Sequence, residues 1–279
     1  EMSVIEIDGA GHFRHALALS ILSKIPIKIK NIRINEEKFG IFEYETNLLQ
    51  LVDNLMDGSV IQISADGLAL YFKPGSFAGG VVKHKCSMHR PIGYYLEFVT
   101  WISLSLKNKL SLTLEGITNC TGDPSVDAIR ISSLNLMRNI GFDTETKIDI
   151  VRRGYGPLGG GACVFTCIPP RAVNPINITD IGSFTNIKGT SYSMRVSPQI
   201  GDRLVEYANA HLSNITHHIS IKTDHRKSFG GGLSPGYGLV LFSETNNGVV
   251  ITSEAGTQTN HLIGTDPESI SISACHSLF

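Results

Sequence analysis

The chain has 279 residues, of which 42% are hydrophobic, so it is long enough for two domains or one large domain with an insertion, and too apolar for a disordered tail. Charged residues are only 18%, and 24 Lys+Arg against 25 Asp+Glu leave a formal charge of -1. No global field therefore gathers nucleic acid or anionic membrane, and any RNA contact has to use local patches or a partner.

In chain order, Val4 to Ile7 is a short apolar strand, and Phe13 to Ser23 places Ala16, Leu17, Leu19, Ile21 and Leu22 at helical spacing. Pro26 ends that helix, and Ile27 to Ile32 alternates as a half-buried strand. A second helix runs from Tyr44 to Met56 until Asp57-Gly58 stops it, and Val60 to Ile63 and Leu68 to Phe72 follow as strands. The same order returns about 80 residues later, a period that fits a whole supersecondary unit. Ile92 to Leu106 is a helix apolar nearly all round, Leu110 to Leu114 a strand, and Asp123-Pro124-Ser125 opens a helix that Gly141 closes. Lys147 to Val151 and Cys163 to Ile168 end the second copy as strands joined through a glycine-rich turn.

From Gly182 the rhythm changes. Ser191 to Val196 is a short strand, Ser197-Pro198 starts a helix through His211, and Ile215 to Lys222, Leu239 to Ser243 and Val249 to Ser253 are strands. Asn246-Asn247-Gly248 makes a tight turn between the last two. Thr265-Asp266-Pro267-Glu268 begins one more helix.

The start of the chain shows no basic region before an apolar run, and Pro91 to Leu106, with Glu97 inside it, falls short of a membrane span. Five cysteines read as reduced thiols, so an intracellular protein without membrane partners is expected, and the sequons at Asn119, Asn177 and Asn214 are chance matches.

Several motifs carry candidate chemistry. Gly232-Leu233-Ser234-Pro235-Gly236 has the spacing of a nucleophile elbow, but Pro235 and a following strand replace the helix an elbow needs, so a turn is expected. Gly159-Gly160-Gly161 lacks the Gly-Lys-Ser/Thr of a phosphate loop and leads into a strand, which predicts a tight connection with positive φ. Asp8-Gly9-Ala10-Gly11 sits better for an anion, at a helix start with Arg14 in the first turn, yet only Asp8 is near enough to hold a metal. Arg14, Lys24, Lys28, Lys30 and Arg33 follow one another without an acid, as a solvated face or a patch for RNA or a partner. His84, Cys86 and His89 stand beside cations, and Cys163 and Cys167 lie about 13 Å apart along a strand, so no metal is assigned. Thr223-Asp224-His225-Arg226-Lys227 is the densest polar cluster. It suits recognition of phosphate or carboxylate by Arg226 and Lys227, with acid–base work on a phosphodiester as the alternative.

Arg153-Gly154-Tyr155-Gly156-Pro157-Leu158-Gly159-Gly160-Gly161 resembles the R-G-x-x-P-x-G-G-G signature of the RNA 3'-terminal phosphate cyclase family, with Cys163 where an aliphatic residue is usual. Gly116 to Asn119, Asp123 to Asp127 and Arg14 to Ser20 are similar to it too, and the resemblance covers essentially the whole chain. It implies an α+β fold of repeated βαβαββ-type units with a small thioredoxin-like α/β domain inserted. Residues 1–181 would then form two tandem units of the large domain, 182–264 the inserted domain, and 265–279 the start of a third, incomplete unit. Arg153, Gly154, Pro157, Gly159, Gly160 and Gly161 would be its structural signature.

True cyclases of this family carry a longer glycine loop with a metal-binding Glu and a Gln, and nucleotide-contacting Arg and Gln after the second strand. Here Gly11 stands where the Gln would be, and Glu36 and Tyr44 take the other two places; an acid there repels triphosphate. The family's nucleophilic His lies in a C-terminal third that this chain does not contain. Gly40 to Glu45, Arg195 to Gln199, Thr223 to Lys227 and Ser234 to Gly238 resemble the cyclase-like branch instead. That likeness implies a non-catalytic factor without cofactor, in the nucleus and nucleolus. Its partners would be a ribosome-assembly GTPase, small-subunit processome proteins, a small nucleolar RNP and precursor rRNA, and its task early processing of the 18S rRNA precursor. Arg14, Lys28, Lys30, Arg33, Arg195, Asp224, His225, Arg226 and Lys227 are the expected contacts. The alternatives are an endonuclease on precursor rRNA, or an active cyclase completed by a missing C-terminus.

Overall fold

The computed structural model describes residues 3–226, 232–257 and 266–279, the side chain of Arg226 excepted. Its first set of elements is β1 (Ile5–Asp8), α1 (Phe13–Ser23), β2 (Ile27–Lys30), α2 (Glu43–Leu55), β3 (Met56–Asp57), β4 (Val60–Ile63), β5 (Leu70–Lys73) and β6 (Ser76–Phe77). Parallel β1 and β2 are crossed by α1, and β5 and β4 add antiparallel in the order β1-β2-β5-β4. The Ile-Lys-Ile-Lys run of β2 buries Ile27 and Ile29 and turns both lysines to the open face, as period-two alternation requires.

A second set repeats that wiring: β7 (Gly80–Lys85), α3 (Ile92–Ile102), β8 (Leu110–Gly116), α4 (Val126–Ile140), β9 (Lys147–Arg152) and β10 (Gly161–Cys167), in the sheet order β7-β8-β10-β9. Strand β7 is absent from the sequence reading. Its Gly-Val-Val-Lys-His-Lys is an edge strand with Val81 exposed and only His84 buried, so it shows no clean alternation. Helix α3 is buried on nearly every side, as its composition predicts, and packs on α1 and α4. The apolar residues of both sheets form one continuous core.

The third set is β11 (Phe184–Met194), α5 (Pro198–Leu212), β12 (Ile219–Arg226), β13 (Gly236–Thr245), β14 (Val250–Gly256) and α6 (Pro267–His276), with sheet order β12-β11-β13-β14. Strand β11 begins seven residues before its predicted start at Ser191, within a polar run broken by Gly189. That glycine is needed because a Cβ there would lie 2.7 Å from the Val240 carbonyl of β13. Strand β12 is shifted toward the C-terminus of its predicted range, Ile215 to Lys222, so Thr223 to Arg226 are strand residues paired with β11. The sequence predicts that 265–279 begins a further unit. Within the described residues α6 packs on α5, β13 and β14, where Ala274, Cys275 and Leu278 close the core that Ile187, Leu212 and Leu241 begin.

Candidate functional site

Gly9 takes φ +73° and turns the chain from β1 toward α1, whose first turn faces a cleft of about 330 Å³. The cleft brings together Gly11, Arg14, Arg33, Glu36 and Tyr44, all singled out in the sequence, with Glu45, noted there only as the end of the Gly40 to Glu45 motif, and Arg90, which was not. Each guanidinium already has an internal carboxylate. Arg14 donates from Nη1 to the Tyr94 carbonyl at 2.7 Å and to Glu97 at 3.1 Å, and its Cζ lies 4.2 Å from the Tyr94 ring centre. Arg33 forks onto buried Glu45 at 2.8 and 2.5 Å, donates to the Gly40 carbonyl and stacks on Phe42. Arg90 donates to Asp123 at 3.0 Å. Three guanidiniums thus meet three carboxylates, and Glu36 lines the cleft beside Glu45 as a further acid. Burial, with the Glu45 charge added, pushes the Tyr44 phenol up, so it stays a neutral hydrogen-bonding group.

The glycine-rich signature builds a second, buried site. Arg153, 3% exposed, forks onto Asp127 at 2.6 and 3.0 Å, donates from Nε to Asp224 at 2.8 Å and reaches Asn119 at 3.2 Å. Burial alone would raise the Asp127 carboxyl, but Arg153, Asn119 and Arg130 outweigh it and hold the carboxyl below its ordinary range. The glycines are there for close approach. A Cβ on Gly154 would lie 2.1 Å from the Gly161 nitrogen, and Gly159 and Gly160 take positive φ, as the tight connection predicted. Thus Arg153 joins α4 of the second sheet to β12 of the third. Ser125 N–H donating to Glu254 of β14 at 2.9 Å reinforces the same seam.

The remaining sequence candidates are scattered. Lys28 stands opposite Glu6 in the β1–β2 register and Lys30 Nζ lies 2.6 Å from Glu6, so these two lysines sit in a solvated ion ladder. Asp224 is the partner of Arg153, and His225 Nδ1 lies 2.9 Å from Ser193 Oγ. Arg195, in the left-handed region at φ +52°, donates from Nε to the Gly232 carbonyl. Lys227 and the Arg226 side chain lie outside the described residues. Ser234 is buried and accepts from the Leu158 N–H at 3.1 Å, the turn role expected of it. His84 is buried against Asn47, Cys86 is buried too, and among the described residues no three His, Cys, Asp or Glu side chains converge as metal ligands. The sequence reading gave Asp123 a part only in opening a helix and gave neither it nor Asp127 an ionic partner; the pairing of two acids with a helix start in Asp-Pro-Ser-Val-Asp was the available signal.

Comparison with known proteins places this geometry. The family model described as RTC, RNA 3'-terminal phosphate cyclase, matches residues 5–262. A human RNA 3'-terminal phosphate cyclase-like protein is 41% identical over 247 residues, 88% of this chain and 66% of the relative. A Caenorhabditis elegans probable RNA 3'-terminal phosphate cyclase-like protein is 36% identical over 277 residues, 98% of this chain and 73% of its own length. A Schizosaccharomyces pombe protein named rRNA processing protein rcl1 is 36% identical over 248 residues, 88% of this chain and 68% of its own. The chain spans about two thirds of the length of the relatives it matches.

Proposed function

The chain belongs to the RNA 3'-terminal phosphate cyclase family, and from that premise we propose that it is a non-catalytic factor in rRNA processing. The observation that carries this reading is the neutralised cleft. A cyclase would admit a nucleoside triphosphate, with its metal, beside Gly11 and Glu36. The residues here do not fit that group. Arg14, Arg33 and Arg90 are held by Glu97, Glu45 and Asp123, and Glu36 adds repulsion. Pulling Arg33 from buried Glu45 costs about 3–5 kcal/mol before any phosphate contact is made.

The relatives' names, cyclase-like and rRNA processing, support the same direction. On this proposal the protein works in the nucleolus within the small-subunit processome, beside its proteins and a small nucleolar RNP. A ribosome-assembly GTPase carries it there, and early processing of the 18S rRNA precursor depends on it. The crossover of β11, α5 and β12 followed by antiparallel β13 and β14 supports reading 182–264 as the small thioredoxin-like insertion.

The test uses the full-length protein. Incubated with labelled ATP, magnesium and an RNA ending in a 3'-phosphate, it should show neither adenylylated protein nor cyclic phosphate. Cells depleted of it should accumulate unprocessed small-subunit precursor and recover with a Glu36→Gln copy. A covalent adenylate, or precursor processing that continues normally without the protein, overturns the proposal.

A further inference from the structure

The cations of the cleft and of the buried site are matched by carboxylates, but among the described residues several other arginines are not, and two of these meet at one place. Arg152 ends β9, and its Nε donates to the Gly160 carbonyl. Arg195 follows β11, and its Nε donates to the Gly232 carbonyl at 2.8 Å. Those two glycines touch, since a Cβ on Gly160 would lie 3.2 Å from Gly232 Cα. One seam therefore anchors both guanidiniums by Nε. Both residues are exposed, and among the described residues neither has a carboxylate within salt-bridge distance. The sequence segments 227–231 and 258–265 contain no Asp or Glu that could serve.

Two large apolar side chains stand at the same place. Leu158 is 61% exposed and Leu233 57%. Their backbones are tied side by side, with the Leu158 N–H donating to Ser234 Oγ at 3.1 Å and the Leu233 N–H to the Gly159 carbonyl at 3.0 Å. Oriented guanidiniums favour planar acceptors, and exposed leucines gain by leaving water. A nucleic-acid backbone would satisfy the arginines and leave both leucines wet. A peptide bearing an apolar side chain beside carboxylates satisfies all four, and arginine around an apolar centre is the composition of protein interfaces.

We propose that the Gly160–Gly232 seam, with Arg152, Arg195, Leu158 and Leu233, docks a protein segment in which a large apolar residue is flanked by Asp or Glu. The surface is separate from the cleft above, and its existence does not depend on the rRNA-processing reading.

The test is selection on the full-length protein from a library of ten-residue peptides randomised over Asp, Glu, Asn, Gln, Lys, Leu, Phe, Ser and Gly. Enrichment of an apolar residue next to Asp or Glu is expected. The affinity of a selected peptide should fall about tenfold or more both in R152Q/R195Q and in L158S/L233S, a size common for truncated interface anchors. All four residues are exposed, and unchanged melting of the variants confirms that they fold. No enrichment, enrichment that survives both double variants, or tighter binding of an oligouridylate that depends on the arginines but not the leucines overturns the proposal.

Discussion

Removing the Arg153 side chain takes the forked guanidinium from Asp127, leaving Asn119 and the partly exposed Arg130 to offset a burial that disfavours its charge. R153A should lower unfolding stability by about 3–5 kcal/mol, read from urea denaturation, and R153K should recover only part, because an ammonium cannot fork onto a carboxylate. The neighbouring Tyr155 presents the opposite case. Its buried hydroxyl has no hydrogen-bond partner among the described residues, so Y155F should leave stability unchanged or raise it by about 1 kcal/mol in the same assay. His84 supplies a pH dependence. Asn47 Oδ1 also accepts from the Ser87 N–H while its amide donates to the Lys85 carbonyl, so the oxygen faces His84 and Nε2 is the donor, a contact that both the neutral and the charged ring can make. Burial lowers the His84 pKa below the ordinary 6.5. The unfolded chain then binds the proton more readily, and stability is full above about pH 6.5 and falls as pH drops below it. Thermal melts of H84Q should show a shallower decline between pH 6.5 and 5 than the parent.

At the scale of elements, the packing of α3 turns on one missing side chain. A Cβ on Gly93 would sit 1.7 Å from the Pro124 carbonyl, in the segment that starts α4. G93A should therefore push α3 off that segment and lower the melting temperature by an amount equal to about 1–3 kcal/mol or more, the cost of overpacking a core. The same segment carries Ser125, whose Oγ accepts from the Ala128 N–H at 3.1 Å, and Asp123, which holds Arg90 in the cleft. One short stretch thus caps a helix, supports a neighbouring helix and neutralises a cation of the candidate site.

At the scale of the molecule, the first two sheets share a core while the third has its own, and the join between them combines the Arg153 and Glu254 contacts with a small buried cluster of Tyr155, Tyr192, Met194 and Val240. D224N removes the charge that Arg153 meets from the third sheet. Hydrogen exchange should then quicken in β12 and along the 153–161 turn while β1 and β2 keep their protection, since local opening follows local contacts.

The twofold repeat, the helices and the turn at Gly159-Gly160 were legible in the amino-acid order, because apolar period and glycine placement are local properties. Edge strand β7 and the first half of β11 were not, since the one is mostly solvated and the other owes its place to neighbouring strands. For the candidate site, sequence by itself led to Gly11, Glu36 and Tyr44, which the family likeness implies depart from the cyclase pattern. Only the tertiary structure decided which charges cancel. Arg14 meets Glu97, Arg33 meets Glu45, Arg90 meets Asp123 and Arg153 meets Asp224, separated by 83, 12, 33 and 71 positions, while Arg152 and Arg195 meet no acid among the described residues. Local order sets backbone preference and burial pattern; the field at a cation depends on distances in space, and those exist only once the chain has folded.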